Sequence, residues 1–426
     1  MNPQAEELNE KIKEDNPVLL DMLSEKGKGI FFPAKGILAQ AGQAKGKNIN
    51  ATIGIALEED GSPMRLKSIE KLVKLDPKEG FPYAPSFGKK ELRDRWKAMI
   101  YNKNPSLKAE TSLPVVTNAL THGLSILGFL FVDPKDRIII PDLYWGNYNL
   151  IFTNRYGSEF DTFQTFKGKG FNIKGLKEKL EGEDEKKILL LNFPNNPTGY
   201  TPTEKEIPQI VRAIKESAEK GNRIIVLIDD AYFGLVYKKG VYMESIFSQL
   251  ADLHENVLAI KLDGATKEDY VWGFRVGFIT YAIKGASEDV YKALEAKTSG
   301  AIRGNISNAP HISQSLVLKA YTNERYEKEK KKKYNLLKKR CKAVMKALKD
   351  HPEYKERFEA LPFNSGYFMC VRLKDQDAEK IRQILLEKYS TGIIAMKDVI
   401  RIAFSSCPTE LIPQLFENLY KACNES

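Results

Sequence analysis

Lys267 is the only lysine in LDGATKEDYVWGFRVGF, Leu262 to Phe278, and Arg275 follows it by eight positions between Gly273 and Gly277. A lysine held beside cations and away from water has a lowered pKa and can form a Schiff base with a carbonyl. An arginine fixed between glycines can take a phosphate bidentately. Upstream, DDAYFG places Asp229 and Asp230 at the end of an apolar run, with Tyr232 within reach of the same pocket. Such an acidic pair is costly unless it meets a cation or a hydrogen-bond network, although a helix N-cap also uses aspartate. FPNNPTG, Phe193 to Gly199, is a rigid turn that offers Asn196, and Asn196–Pro197 is a candidate cis bond. In ALTHGL, Ala119 to Leu124, small residues and Thr121 at a helix start offer N–H groups and a hydroxyl to a phosphate. The same pattern suits an ordinary capped helix. Trp145, in LYWGNY, can stack on a planar ring or fill core.

The elements that must position these residues are short apolar runs. VVTN ends at Asn118, RIIIPD at Asp142, KKILLLNFP at Pro194, RIIVLIDD at Asp230, NVLAIKLDG at Gly264 and RVGFITYA at Ala282. Continuous apolar strands separated by helical segments indicate an α/β fold with a largely parallel sheet buried on both faces. Ligands in such sheets gather beyond the carboxyl ends of the strands, where the residues above fall. Phosphate binders, a stacking aromatic, a carboxylate and a Schiff-base lysine together describe a site for pyridoxal 5′-phosphate, with the carboxylate on the pyridinium nitrogen. The two ends of the chain carry charged helical stretches and short strands, including SGYFMCVRL and VIRIAFSS. The expected division is an N-terminal arm and part of a smaller α+β domain over 1–80, a large cofactor-binding domain over 81–320, and the rest of the small domain over 321–426.

With these motifs the sequence resembles the class I aminotransferases of the fold-type-I pyridoxal-phosphate enzymes, from about residue 30 to the C-terminus. In pattern it is most similar to their aspartate and aromatic branch. NNPTG, DDAY and the eight-residue spacing from Lys267 to Arg275 are the most specific parts. The resemblance implies that Lys267 carries the cofactor and acts as general base, that Asp229 binds the ring nitrogen, and that Asn196 and Tyr232 bind the ring hydroxyl. Trp145 would stack on the ring. Thr121, Thr266 and Arg275 would hold the phosphate with backbone help from Ala119 and Leu120. YAPSFG resembles the segment whose tyrosine, here Tyr83, reaches the neighbouring subunit's phosphate. On the substrate side INATIGIALEEDGSP supplies Gly54, IRIAFSS supplies Arg401 as the clamp for the α-carboxylate, and Trp145 and Asn196 contribute again. AIRGNISNAPHIS supplies Arg303 and Ser307 across a dimer interface.

The implied activity moves an amino group between an L-amino acid, aspartate or aromatic favoured, and a 2-oxo acid such as 2-oxoglutarate, by a ping-pong cycle in a homodimer with shared sites. Two alternatives stay open: another reaction on the same cofactor, such as a β-lyase, or a non-catalytic sensor domain. Sensors of that kind carry a DNA-binding domain in front, for which the early start of the resemblance leaves no room. The sequence departs from the family pattern at Gly264, where relatives carry a phosphate-binding serine, at SNAP in place of SNPP, and at Tyr148 in place of a histidine.

The rest of the sequence excludes more than it suggests. Four cysteines and four histidines are scattered through 426 residues, so no metal site or disulfide framework is expected. No apolar run reaches the ~18 residues of a membrane span, and MNPQAEELNEKIKED lacks a signal-peptide core, so the expected location is cytoplasmic. The net charge of +10 is concentrated in EKEKKKKYNLLKKRCKAVMKALKD. Leu337, Cys341, Val344, Met345 and Leu348 recur there at helical spacing, which reads as an amphipathic helix with a solvated lysine face rather than a nucleic-acid site.

Overall fold

Each apolar run forms a strand of one seven-stranded sheet in the computed structural model, which describes residues 1–32, 36–72 and 75–425. The strands are β1 (Val115–Asn118), β2 (Arg137–Pro141), β3 (Glu159–Phe163), β4 (Lys186–Asn192), β5 (Arg223–Asp229), β6 (Val257–Asp263) and β7 (Val276–Ala282). Their order is β1-β7-β6-β5-β4-β2-β3. Neighbours from β3 to β6 are parallel, and β7 lies antiparallel to both β1 and β6. β7 is buried at every position, as a strand covered on both faces must be. β3 is the strand that the apolar runs do not mark. It sits at the sheet edge, where partial exposure tolerates the mixed sequence EFDTF.

A second, antiparallel sheet holds β8 (Phe358–Ala360), β9 (Met369–Leu373), β10 (Ile394–Met396) and β11 (Val399–Ile402), in the order β8-β9-β11-β10. The two ends of the chain meet beside it, where Ile49–Asn50 pairs in parallel with Thr391–Gly392.

The helices that matter to the site are α1 (Pro3–Asp15), α2 (Ala119–Phe131), α3 (Ala265–Glu268), α4 (Glu288–Ile306), α5 (His311–Tyr321) and α6 (Tyr326–Asp350). α6 is the lysine-rich helix. It buries Leu337, Cys341 and Val344, as the spacing requires, and leaves Lys332, Lys339, Lys342 and Lys346 exposed. Its cations are not all solvated, however. Lys330 meets Glu268 at 2.7 Å, Lys333 pairs with Glu58, and Arg340 is fully buried, donating to the carbonyl of Leu57 at 2.7 Å. Long lysine and arginine stems let a helix bury them at its margin when carboxylates or carbonyls receive the heads. Among the described residues no helix is long and apolar enough to cross a membrane.

Candidate active site

Strand direction explains why distant motifs meet. β1, β2, β4, β5 and β6 run the same way and end at one edge of the sheet. β7 runs the opposite way, so its first residue, and Arg275 just before it, arrive at that same edge. Register places Asn192 beside Asp229, Asp229 beside Leu262, and Val276 beside Asn118. A cavity of about 1260 Å³ opens there. Its wall includes Lys267, Asp229, Tyr232, Asn196, Arg275, Arg401, Thr121, Thr266, Trp145, Gly54, Ala119 and Leu120. Asp229 is the one carboxylate among its described lining residues, against the cations Lys267, Arg275 and Arg401.

Lys267 stands on the short helix α3, directly after β6. Its ammonium lies 4.8 Å from the centroid of the Tyr232 ring. Desolvation pushes its pKa down to about 8; Asp229 opposes this and Arg275 adds to it. Asp229 is 3% exposed. Its Oδ2 accepts a hydrogen bond from the Tyr148 hydroxyl at 2.6 Å, and its Oδ1 accepts the Ala231 N–H at 3.1 Å. Burial raises its pKa, while the bond from Tyr148, the charge of Lys267 and the Ala231 amide favour the anion. Burial likewise raises the Tyr232 phenol, against the pull of Arg401.

Asn196 is held by its own backbone, whose N–H donates to Asn192 Oδ1 at 2.8 Å. The loop that carries it needs a glycine at its end. Gly199 has φ +69°, and a Cβ there would sit 1.8 Å from the Phe368 carbonyl. The cis bond of this loop is Phe193–Pro194, not the expected Asn196–Pro197.

Arg401 reaches the cavity wall from β11. It is buried, donates to the Thr52 carbonyl at 3.0 Å and to Asn196 Oδ1 at 3.5 Å, and lies over the Phe368 ring at 4.4 Å. Its Nε has no hydrogen-bond partner among the described residues, and desolvation lowers its pKa. A guanidinium buried without a carboxylate is costly by itself and is relieved by an anionic ligand.

Arg275, also on the cavity wall, has the same character. It is half-buried in a left-handed conformation and donates to the Trp272 carbonyl at 3.2 Å. Desolvation lowers its pKa. α2 begins beside it with Ala119 at φ +61° and no side-chain cap. Its first N–H groups are therefore open to an anion. Gly264 does not replace serine by accident. A Cβ at that position would lie 2.5 Å from the Val276 carbonyl and 2.8 Å from the Gly277 Cα, so β7 runs too close for any side chain.

Tyr83, Arg303 and Ser307 do not line the cavity of their own chain. Tyr83 is 90% exposed, and Arg303 and Ser307 are exposed as well. The structure does bring two of their segments together: Ser86 Oγ donates to the Ser307 carbonyl at 2.8 Å, and His311 Nδ1 lies 2.8 Å from the Pro82 carbonyl.

Sequence reasoning missed several neighbours of the site. Tyr148 stood out only as a departure in WGNY, yet it is buried against Asp229 and meets Trp145 edge-on at 5.4 Å. Asn192 bonds to both Asn196 and the Asp229 carbonyl, and nothing in LLLN distinguishes it from a strand end. Met1 and Asn2, at the start of α1, and the π-helical turn Asn149–Asn154 also border the cavity.

The family model for aminotransferase class I and II matches residues 49–419. The aspartate aminotransferase of Bacillus subtilis is 28% identical over 252 residues, which is 56% of each chain. The chain thus spans about half the length of that relative in the match. The aspartate aminotransferase of Pyrococcus horikoshii is 25% identical over 377 residues, 85% of this chain and 88% of that one. Among solved structures, an aminotransferase from Anaerococcus prevotii superposes with a TM-score of 0.82 at 26% identity, covering 95% of this chain and 99% of that one. The chain belongs to the class I and II aminotransferases, a family whose cofactor is pyridoxal 5′-phosphate.

Proposed function

We propose that this chain is an aminotransferase that moves an amino group between an L-amino acid and a 2-oxo acid by a ping-pong cycle. Aspartate or an aromatic amino acid is the favoured donor and 2-oxoglutarate the acceptor. The observation that carries this reading is the charge arrangement of the cavity: Lys267, Arg275 and Arg401 stand at separate places on the wall with Asp229 as the one carboxylate.

Those residues fit pyridoxal phosphate. The guanidinium of Arg275 and the open amides of α2 suit its phosphate, with the hydroxyls of Thr121 and Thr266 beside them. Asp229 suits the ring nitrogen, Asn196 and Tyr232 the ring hydroxyl, and Trp145 the ring face. Lys267 suits the aldehyde carbon. When bound, the cofactor supplies an electron sink for charge that develops at the substrate Cα.

The chain's own part is to bind, orient and move protons. Arg401, backed by Thr52 and Asn196, takes the α-carboxylate. Lys267 would serve as the general base that takes and gives back the substrate Cα proton; a pKa near 8 leaves a useful fraction neutral near physiological pH. Bonds from Tyr148 and the Ala231 amide, with the charge of Lys267, favour the Asp229 anion against the burial that raises its pKa.

Tyr83, Arg303 and Ser307 serve the neighbouring subunit's site, so the working form is a homodimer, and the cytoplasm is its location. The names of the aspartate aminotransferase relatives support the choice of donor. A panel of amino donors with 2-oxoglutarate, covering aspartate, the aromatic amino acids and alanine, tests the reading. Glutamate formed from aspartate or an aromatic donor is the expected result. Loss of a β-substituent from the donor with no glutamate formed with any donor overturns it in favour of a lyase.

A further inference from the structure

Behind the wall that carries Lys267 lies a closed group of charges that the proposed reaction does not use. Lys261, inside β6, pairs with Asp230 and lies 3.3 Å from Asp263. Glu268 receives Lys103 and Lys330 on the same oxygen, Lys330 at 2.7 Å, while its Oε2 has no hydrogen-bond partner among the described residues. Asp269 receives Lys330 at 3.1 Å and the hydroxyls of Tyr321, at 2.7 Å, and Tyr326. Glu268 is 4% exposed and Asp269 0%.

Burying so many charges is costly unless each is paired. Here the carboxylates adjoin the site in sequence: Asp230 follows Asp229, and Glu268 and Asp269 follow Lys267. α3, which presents Lys267, has four residues and no side-chain cap, too little to hold its own direction. Its anchors include the Tyr367 hydroxyl on the Lys267 carbonyl at 3.2 Å, the Thr266 hydroxyl on the Val276 carbonyl at 3.4 Å, the Val271 N–H on the Thr266 carbonyl at 3.1 Å, and the ion pairs of Glu268 and Asp269. Lys330 is the cation common to both of those carboxylates, and it comes from α6. The same helix sends Arg340 to the carbonyls of Leu57 and Ser405, next to the segments that bear Gly54 and Arg401.

We propose that Lys330 is a positioning residue for Lys267: by holding Glu268 and Asp269 against α6 it sets how the Lys267 amine enters the cavity, and it ties that turn to the helix that also braces the Arg401 strand. The inference rests on the aminotransferase reading. Without Lys330, Glu268 keeps one cation and Asp269 keeps only tyrosine hydroxyls, so the turn must move or take up a proton. The groups facing the amine itself, Asp229, Tyr232 and Arg275, stay in place. In the holoenzyme the Lys267 nitrogen is bonded to the cofactor, so a shift in the pH midpoint of the cofactor's absorbance reports displacement of that nitrogen.

The test uses purified holoenzyme of Lys330→Met, Lys330→Arg and, as a control on the exposed face of α6, Lys332→Met. Two quantities are read: kcat and KM for the best donor, and the pH midpoint of the cofactor's visible absorbance. Lys330→Met lowers kcat on the order of 10- to 100-fold, as a small misplacement of a reacting group does, with a KM change within about threefold, and it shifts the midpoint. Lys330→Arg restores most of both, and Lys332→Met changes neither. A lowered melting temperature with wild-type kcat and midpoint makes Lys330 merely structural and overturns the proposal. Should Lys330→Met fail to fold, the pair Glu268→Gln with Lys330→Met removes one charge of each sign. A wild-type kcat and midpoint in that pair overturns the proposal, and a shift in both supports it. Failure of wild-type protein in the donor panel defeats the reaction reading alone, since the absorbance midpoint still reports on Lys330.

Discussion

The cavity wall around Lys267 and the surface around Tyr83 hold their polar residues in opposite ways. On the wall, Asp229, Asn196 and Arg401 are buried and fixed: Asp229 accepts from the Tyr148 hydroxyl, Asn196 donates to Asn192 Oδ1, and Arg401 donates to the Thr52 carbonyl. On the surface, Tyr83 is 90% exposed, and Arg303 is exposed near the end of α4. One chain thus assembles the part of the site that suits the cofactor and the α-carboxylate, because strand ends from one sheet converge there. It leaves a second set of polar and aromatic groups, Tyr83 and Arg303, exposed on its surface. Fixing a buried charge requires a rigid network in the same chain, whereas an exposed arginine is settled only when a partner arrives. In the dimeric reading, chemistry is built into the fold and the distal side of the substrate pocket is built by assembly.

The largest effect expected on the wall short of losing Lys267 comes from Asp229→Ala. Removal of the buried carboxylate leaves the ring nitrogen without its partner, and turnover falls on the order of 100- to 1000-fold, while the cofactor still attaches. Near-normal turnover in a steady-state assay reduces Asp229 to a structural cap.

Arg303→Ala examines the other region. A charge left buried without its partner costs roughly 3–5 kcal/mol, which corresponds to about 100- to 1000-fold in kcat/KM for aspartate or 2-oxoglutarate. Aromatic and aliphatic monocarboxylic donors lose much less. Equal losses for both donor classes assign Arg303 to the interface only. Mixing Lys267→Ala protein with Arg303→Ala protein sharpens the contrast. Shared sites predict partial recovery of activity in the mixture, and sites confined to one chain predict none.

Tyr148→Phe should act less strongly. It removes one hydrogen bond to a charged group, worth about 1.5–3 kcal/mol, and so about 10- to 100-fold in turnover if Asp229 depends on it. An unchanged rate means that the Ala231 amide suffices. The smallest effect expected is one of pH. Cofactor-free protein should bind added pyridoxal phosphate at a rate that climbs about tenfold per pH unit and flattens above about 8, because desolvation lowers Lys267 to that value and only the neutral amine attacks. A rate still climbing well above that point shows an ordinary solvated lysine.

Much of this was legible in the sequence for a physical reason. Buried parallel strands need continuous apolar runs, and their ends fall at one edge, so NNPTG, DDAY and Lys267 declare both the element and the side of the sheet. What was hidden depends on contacts between distant segments. WGNY does not reveal that Tyr148 reaches Asp229, some 80 positions away. Lysine spacing in α6 does not separate Lys330, which meets two buried carboxylates, from Lys332, which is exposed. Gly264 looked like a lost ligand until the backbone of β7 was seen to pass where a serine Cβ belongs. EFDTF gave no strand signal because an edge strand is only partly buried.

The attachment of the cofactor to Lys267 decides between this account and its rivals most directly. Holoenzyme reduced with borohydride, digested and examined by mass spectrometry should carry the pyridoxyl group on Lys267, and Lys267→Ala protein should carry none and show no turnover. A pyridoxyl group on any other lysine, or a fully active Lys267→Ala enzyme, contradicts the account.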